Sequence, residues 1–230
     1  MNFAEQVIAF TRALRPPDIE LPPGFAWLFP YDNPDTLAAL TAFYQKFYAD
    51  PGERAFIFGI NPGRFGAGIT GVPFTDPLRL ETECGIANNF VKKPELSAQF
   101  VWQFIHAYGG PNAFCRDFYI TSLSPLGFVR EGLNINYYDD RNLQKAATPF
   151  IEWNIRTQQA FGARRDVALC LGEGQNFAYF QKINAANGFF KKIIPLPHPR
   201  WVMQYRRKKV PEYLDHYVGV LREALGTISE

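Results

Sequence analysis

The sequence predicts an α/β fold, a three-layer α/β/α sandwich around a central, mostly parallel four-stranded sheet. Three observations predict it. Four short apolar runs, at 54–60, 117–123, 166–172 and 192–197, lack the alternation of a half-exposed strand. Such runs read as strands buried on both faces. Helical patterns lie between them, at about 95–108, 141–161 and 174–186. Strands alternating with helices imply parallel pairing, right-handed crossovers and helices on both faces of the sheet. The 230 residues, set against ~150 per domain, predict one domain spanning 1–230.

The elements follow in chain order. Residues 3–14 form an amphipathic helix that Pro16-Pro17 ends. Residues 16–34, rich in proline, glycine and aromatics, read as an irregular wrap. A helix from Asp35 or Thr36 to about Ala49 is broken by Pro51-Gly52. RAFIFGI at 54–60 is the first strand and opens the motif-bearing core, 54–205. DFYITSL at 117–123 is the weakest strand; DVALCLG at 166–172 and KIIPLP at 192–197 are the others. The C-terminal segment, 206–230, carries a helix from about 211 to 225.

Composition narrows the function. With 16% aromatic and 20% charged residues and a net charge of +2, the chain is not intrinsically disordered. No run approaches the ~20 apolar residues of a membrane span. Glu5 and Gln6 stand where a signal peptide needs basic residues. A cytoplasmic protein is expected. Cys84, Cys115 and Cys170 form no CxxC pair, so spacing gives no metal site, and reduced, buried thiols are expected. His106 and His216 fall inside helices and read as ordinary.

In parallel sheets, ligands bind beyond the carboxyl ends of the strands. The segments that should converge there are 59–77, 122–128 and 195–209. Gly66, Gly68 and Gly71 spell a formal dinucleotide fingerprint, but too late after the strand, and Pro73 and Pro77 bar a regular helix. Asn61-Pro62-Gly63 reads as a tight turn in which Gly63 allows φ > 0, leaving N–H groups aimed into the crevice. Phe74 either stacks on a flat ligand or lies in the core. His198, between two prolines at a strand end, sits on a stiff loop. Arg200, Trp201, Arg206, Arg207, Lys208 and Lys209 interleave base and aromatic, which suits a nucleic-acid backbone; a solvated helix start is the alternative.

GINPGRFGAGITGVPF, residues 59–74, resembles the first motif of the uracil-DNA glycosylase superfamily, most closely its single-strand-selective monofunctional (SMUG) branch. That branch has a pattern near GMNPGPFG followed by TGVPF. SLSPLGF, from Ser122, resembles the family's NLCPL segment, and His198-Pro199 matches the start of its second motif. The chain looks most like a bacterial SMUG-like subgroup. The resemblance implies a uracil-DNA glycosylase-like fold and a hydrolase that flips uracil, or other deaminated bases, out of DNA. It implies a monomer acting on single-stranded and duplex DNA, with no metal or cofactor and no lyase step.

Residue roles are likewise implied. Phe74 would stack on the base. Backbone groups of Ile60, Gly63 and Phe65 would line its O2 edge. His198 would donate to O2, and Asn61 would position water. Two departures stand out. Ser122 replaces an Asn that reads both N3–H and O4, which implies looser base selectivity. Arg200-Trp201 follows His-Pro where the family continues with Ser, Pro and a basic wedge residue, so either would fill the gap left by the flipped base. Three alternatives stay open: a mismatch-type thymine/uracil enzyme of the superfamily, a non-catalytic DNA-binding protein on this fold, and a small-molecule enzyme acting on nucleosides or nucleotides.

Overall fold

The computed structural model describes residues 1–226; residues 227–230, the end of the expected C-terminal segment, lie outside the described residues. In chain order the elements are α1 (Phe3–Ala13), β1 (Phe25–Leu28), α2 (Pro34–Phe47), β2 (Arg54–Gly59), α3 (Ala67–Thr70) and α4 (Pro77–Thr82). Next come α5 (Leu96–Tyr108), α6 (Pro111–Asp117), β3 (Phe118–Ser122), β4 (Gly127–Arg130) and β5 (Leu133–Ile135). The chain continues through α7 (Arg141–Gln159), β6 (Ala163–Leu171), α8 (Gln175–Asn187), β7 (Lys192–Leu196), α9 (Pro199–Tyr205) and α10 (Val210–Ala224).

The four expected strands form one sheet in the order β3-β2-β6-β7, every pair parallel. β2 is buried along its whole length, as its uninterrupted apolar run requires. Successive side chains face opposite layers. Phe56 and Phe58 meet Phe3 of α1 and Phe180 of α8, while Phe118 meets Phe114 of α6 and Tyr108 of α5. Gly59 pairs with Ser122 and Leu171 with Leu196, so the carboxyl ends of all four strands share one edge.

Three expectations need correction. The stretch expected to be an irregular wrap contains β1, which pairs antiparallel with β4, and β4 turns back into β5. The turn is the two-residue Glu131-Gly132, both at positive φ. Such turns are normally signalled by Asn-Gly or Asp-Gly, so Glu-Gly hid it. Pro73 and Pro77 do not exclude helix. α3 ends before Pro73, and Pro77 takes the first position of α4, where a proline loses no hydrogen bond. His198 and Pro199 are likewise the cap and first residue of α9, not a free loop. Among the described residues no helix is long and apolar enough to cross a membrane.

The small sheet carries the motif loop. A Cβ on Gly127 of β4 would lie 2.4 Å from the Pro62 carbonyl oxygen and 2.9 Å from Leu28. We expect Gly127→Ala to displace the 61–66 backbone and to cost about 1–3 kcal/mol in urea unfolding. A change below about 0.5 kcal/mol would show that the loop does not rest on this strand.

Candidate active site

The site grows from the end of β2. A Cβ on Gly59 would lie 3.0 Å from the Phe74 ring and 3.4 Å from Ser122 Oγ. The missing side chain therefore lets the Phe74 ring lie against the strand end. Phe74 itself has φ +51°, an unfavourable conformation for a bulky residue. It is half-buried, neither wholly in the core nor free. Gly63 has no positive φ, which corrects the expected reason for it. What it supplies is space: a Cβ there would lie 3.0 Å from Asn134 Nδ2.

Asn61 is fixed at both ends of its amide. Nδ2 donates to the carbonyls of Ile135 (3.2 Å) and Pro62 (3.3 Å), and Oδ1 accepts from the Tyr137 N–H (3.1 Å). These partners also decide which end is oxygen. Oδ1 keeps a second lone pair. Tyr137, fully buried, donates from its hydroxyl to Asn176 Oδ1 (2.7 Å), and Asn176 Nδ2 donates to the Leu171 carbonyl at the end of β6 (3.2 Å). Tyr137 and Asn176 escaped the sequence reading. No motif marks them, and only their shared burial brings them beside Asn61.

His198 caps α9 with its ring. Nδ1 accepts from the Arg200 N–H at 3.2 Å. Burial, and then the nearby Arg200 charge, push its pKa down from 6.5 to about 4. The ring is neutral at pH 7 with Nδ1 as acceptor, so the proton sits on Nε2 and that atom is a donor. Its centroid is 6.2 Å from that of Phe74. With Ile60, Tyr138, Asn176, Pro197 and Trp201 it lines a cleft of about 280 Å³.

The other expected residues divide. Ser122 is buried at the end of β3, and Oγ has no hydrogen-bond partner among the described residues. The Phe65 ring turns away, with the Lys93 ammonium 3.9 Å and the Arg64 guanidinium 4.6 Å from its centroid. Trp201 is 36% exposed, with Arg206 over its face at 4.7 Å and Tyr213 at its edge. Arg200, Arg207, Lys208 and Lys209 are exposed, and Lys209 pairs with Glu212 at 3.3 Å. His106, read as an ordinary helix residue, meets Glu83 at 2.8 Å. All three cysteines are buried, and burial pushes the Cys115 and Cys170 thiols up to about 12. Among the described residues no three His, Cys, Asp or Glu side chains cluster as a metal site would need.

The model of the uracil DNA glycosylase superfamily matches residues 46–222. The crystal structure of wild-type SMUG2 from Pedobacter heparinus is similar at 42% identity, over 99% of this chain and 100% of that one, with a TM-score of 0.95. No curated protein matches.

The His198 ring generates a prediction. Its NMR signals should titrate near pH 4 and stay unchanged from pH 6 to 8. An unfolded imidazole titrates near 6.5, so the folded ring contributes stability above about pH 6.5 that is lost as pH falls through about 4. Titration near 6.5 in the folded protein would refute a neutral, buried Nε2 donor.

Proposed function

The chain belongs to the uracil DNA glycosylase superfamily and is a DNA glycosylase, a hydrolase of N-glycosidic bonds; from that premise we propose that it removes uracil and other deaminated bases from DNA by a base-leaves-first hydrolysis. What carries the reading is the pairing of a neutral His198, its proton on Nε2, with the Phe74 ring across the strand ends. The flipped base stacks on Phe74. With uracil, as the bond from C1′ to the base breaks, its electron pair goes to the base and charge grows on O2. His198 Nε2–H donates there. Such a donor is worth ~10²–10³ in rate.

Asn61 then holds the water that bonds to C1′ through the free lone pair of Oδ1. An amide takes no proton near neutral pH, so the water's proton leaves with the base or to solvent. The backbone of Ile60, Gly63 and Phe65 lines the base; the Phe65 side chain has no part. Ser122 reads one base edge with a single short hydroxyl. That supports a substrate range reaching xanthine, hypoxanthine and hydroxymethyluracil. The enzyme is monofunctional and monomeric, takes single-stranded and duplex DNA in the cytoplasm, and uses residues 1–230 as one domain. α1 supports the last point, since the Phe3 N–H donates to Asp50 and its ring packs on Phe56 and Tyr119.

Arg206, Arg207, Lys208 and Lys209 meet the DNA backbone. Of the two wedge candidates Arg200 fits better, because Trp201 is held between Arg206 and Tyr213. Arg200→Ala should lower excision from duplex more than from single strands. Equal loss on both would remove the wedge role.

Single-turnover cleavage of oligonucleotides carrying one uracil, xanthine, hypoxanthine or hydroxymethyluracil tests the whole reading. Wild type should leave alkali-labile sites. His198→Ala should be slower by ~10²–10³, and Asn61→Ala by about 10². Ser122→Asn should raise the preference for uracil over hypoxanthine about tenfold, the worth of one further hydrogen bond. Intact oligonucleotides of every kind would refute the proposal.

A further inference from the structure

The space beside Gly63 is flanked by two polar groups that none of the roles above employs. The position of a Cβ on Gly63 would be 3.0 Å from Asn134 Nδ2 and 3.9 Å from Glu95 Oε1. Asn134 is held in that orientation, because its Oδ1 accepts from the Arg64 N–H at 3.2 Å. That leaves Nδ2 as a donor with no partner among the described residues. Glu95 stands at the cap position of α5, yet its side chain does not cap the helix. Its backbone N–H is tied to Asp76 Oδ2 (2.8 Å), and the carboxyl turns back onto the motif loop. There it crowds Gly66 so closely that any side chain at 66 would collide with it. Neither carboxyl oxygen has a hydrogen-bond partner among the described residues.

We infer that Asn134 and Glu95 form a second base-reading edge across Gly63, which selects 6-oxopurines by hydrogen bonding to O6 and N7. The inference rests on the glycosylase reading above and deepens it. Guanine presents N7 and O6 as neighbouring acceptors, and hypoxanthine has the same pair. Asn134 Nδ2 donates to one. A protonated Glu95 donates to the other, while an ionised one repels it. On the matching edge uracil carries O4 beside a C–H, so it takes one hydrogen bond where a 6-oxopurine takes two. Ser122 alone cannot make this distinction, because it has one hydroxyl.

The surroundings of Glu95 set when it can donate. Asp76 faces it from the start of α4, with Arg79 paired to Asp76 at 3.3 Å. Arg200 faces it from α9, and Arg64 and Lys93 are both committed to the Phe65 ring nearby. Burial, then Asp76, push the Glu95 carboxyl up to about 7, and Arg200 only partly opposes them. The purine-reading edge is therefore complete below neutrality and lost above it.

The test is single-turnover excision of hypoxanthine and of uracil from the same single-stranded oligonucleotide at pH 6 and pH 8. The wild-type hypoxanthine-to-uracil rate ratio should fall about tenfold as a group with a pKa near 7 loses its proton. Glu95→Gln, whose amide donates at every pH, should make the ratio independent of pH and raise it above wild type at pH 8. Glu95→Leu and Asn134→Leu should each lower the ratio at pH 6. A wild-type ratio that does not change with pH, an unchanged ratio in Glu95→Leu, or excision of uracil alone would overturn the inference. Failure of wild type on both bases would instead overturn the glycosylase reading.

Discussion

The site depends on the Asn61 amide being fixed at both ends by backbone that arrives from elsewhere. Its nitrogen donates to Ile135 and Pro62 and its oxygen accepts from Tyr137. These three bonds to a partly buried amide hold the 134–137 segment over the end of β2. Tyr137 passes the constraint on through Asn176 to the end of β6. Two adjacent strand ends and the β5 exit thus behave as one rigid unit. The role proposed for Asn61, orienting one water, needs such a frame, because catalysis by position falls steeply with small displacements.

Glycine serves this frame mainly through absence of volume. At Gly59, Gly63, Gly66 and Gly127 no unusual φ is required, and each meets a neighbour where a Cβ would intrude. The neighbours differ in kind: an aromatic ring at 59, an amide and a carboxyl at 63, a carboxyl at 66 and a backbone carbonyl at 127. The strain falls elsewhere, on Phe74, a bulky residue held at φ +51°. Such strain persists where the surroundings over-determine it, and functional sites are where it gathers. The ring is wedged against Gly59, and Asp76, two residues on, is fully buried with both oxygens bonded.

Much of this was legible in the sequence, and what escaped has physical reasons. The four buried strands and the long helices announced themselves by period and by unbroken apolar runs. Asn61, Phe74 and His198 stood out because turn chemistry and proline restrict them locally. β1, β4 and β5 are three or four residues long. That is too short for a period, and their turn used Glu-Gly. Gly63 was singled out for a positive φ that it does not have, since φ is local but space is not. Tyr137, Asn176, Asn134 and Glu95 could not be found by spacing, because each reaches the site through a contact distant in sequence. Trp201 shows the converse. Its neighbours in sequence suggested a stacking surface, but Arg206 and Tyr213 already occupy the ring.

The chemistry of the centre follows from its neutrality. Asn61 has no charge to offer, and His198 has been pushed out of the range where it would carry one. A charged imidazolium would bind the developing anion more strongly, but Nδ1 would then become a donor facing the Arg200 N–H and the cap of α9 would break. The fold has therefore committed to a neutral donor with one fixed tautomer. Neutral groups suit a step in which charge separates gradually, since they stabilise O2 as it becomes negative without binding the uncharged ground state as tightly. In the proposed reading the ionisable groups Glu95 and Arg200 act on which base is bound and how the DNA is held, not on the bond that breaks.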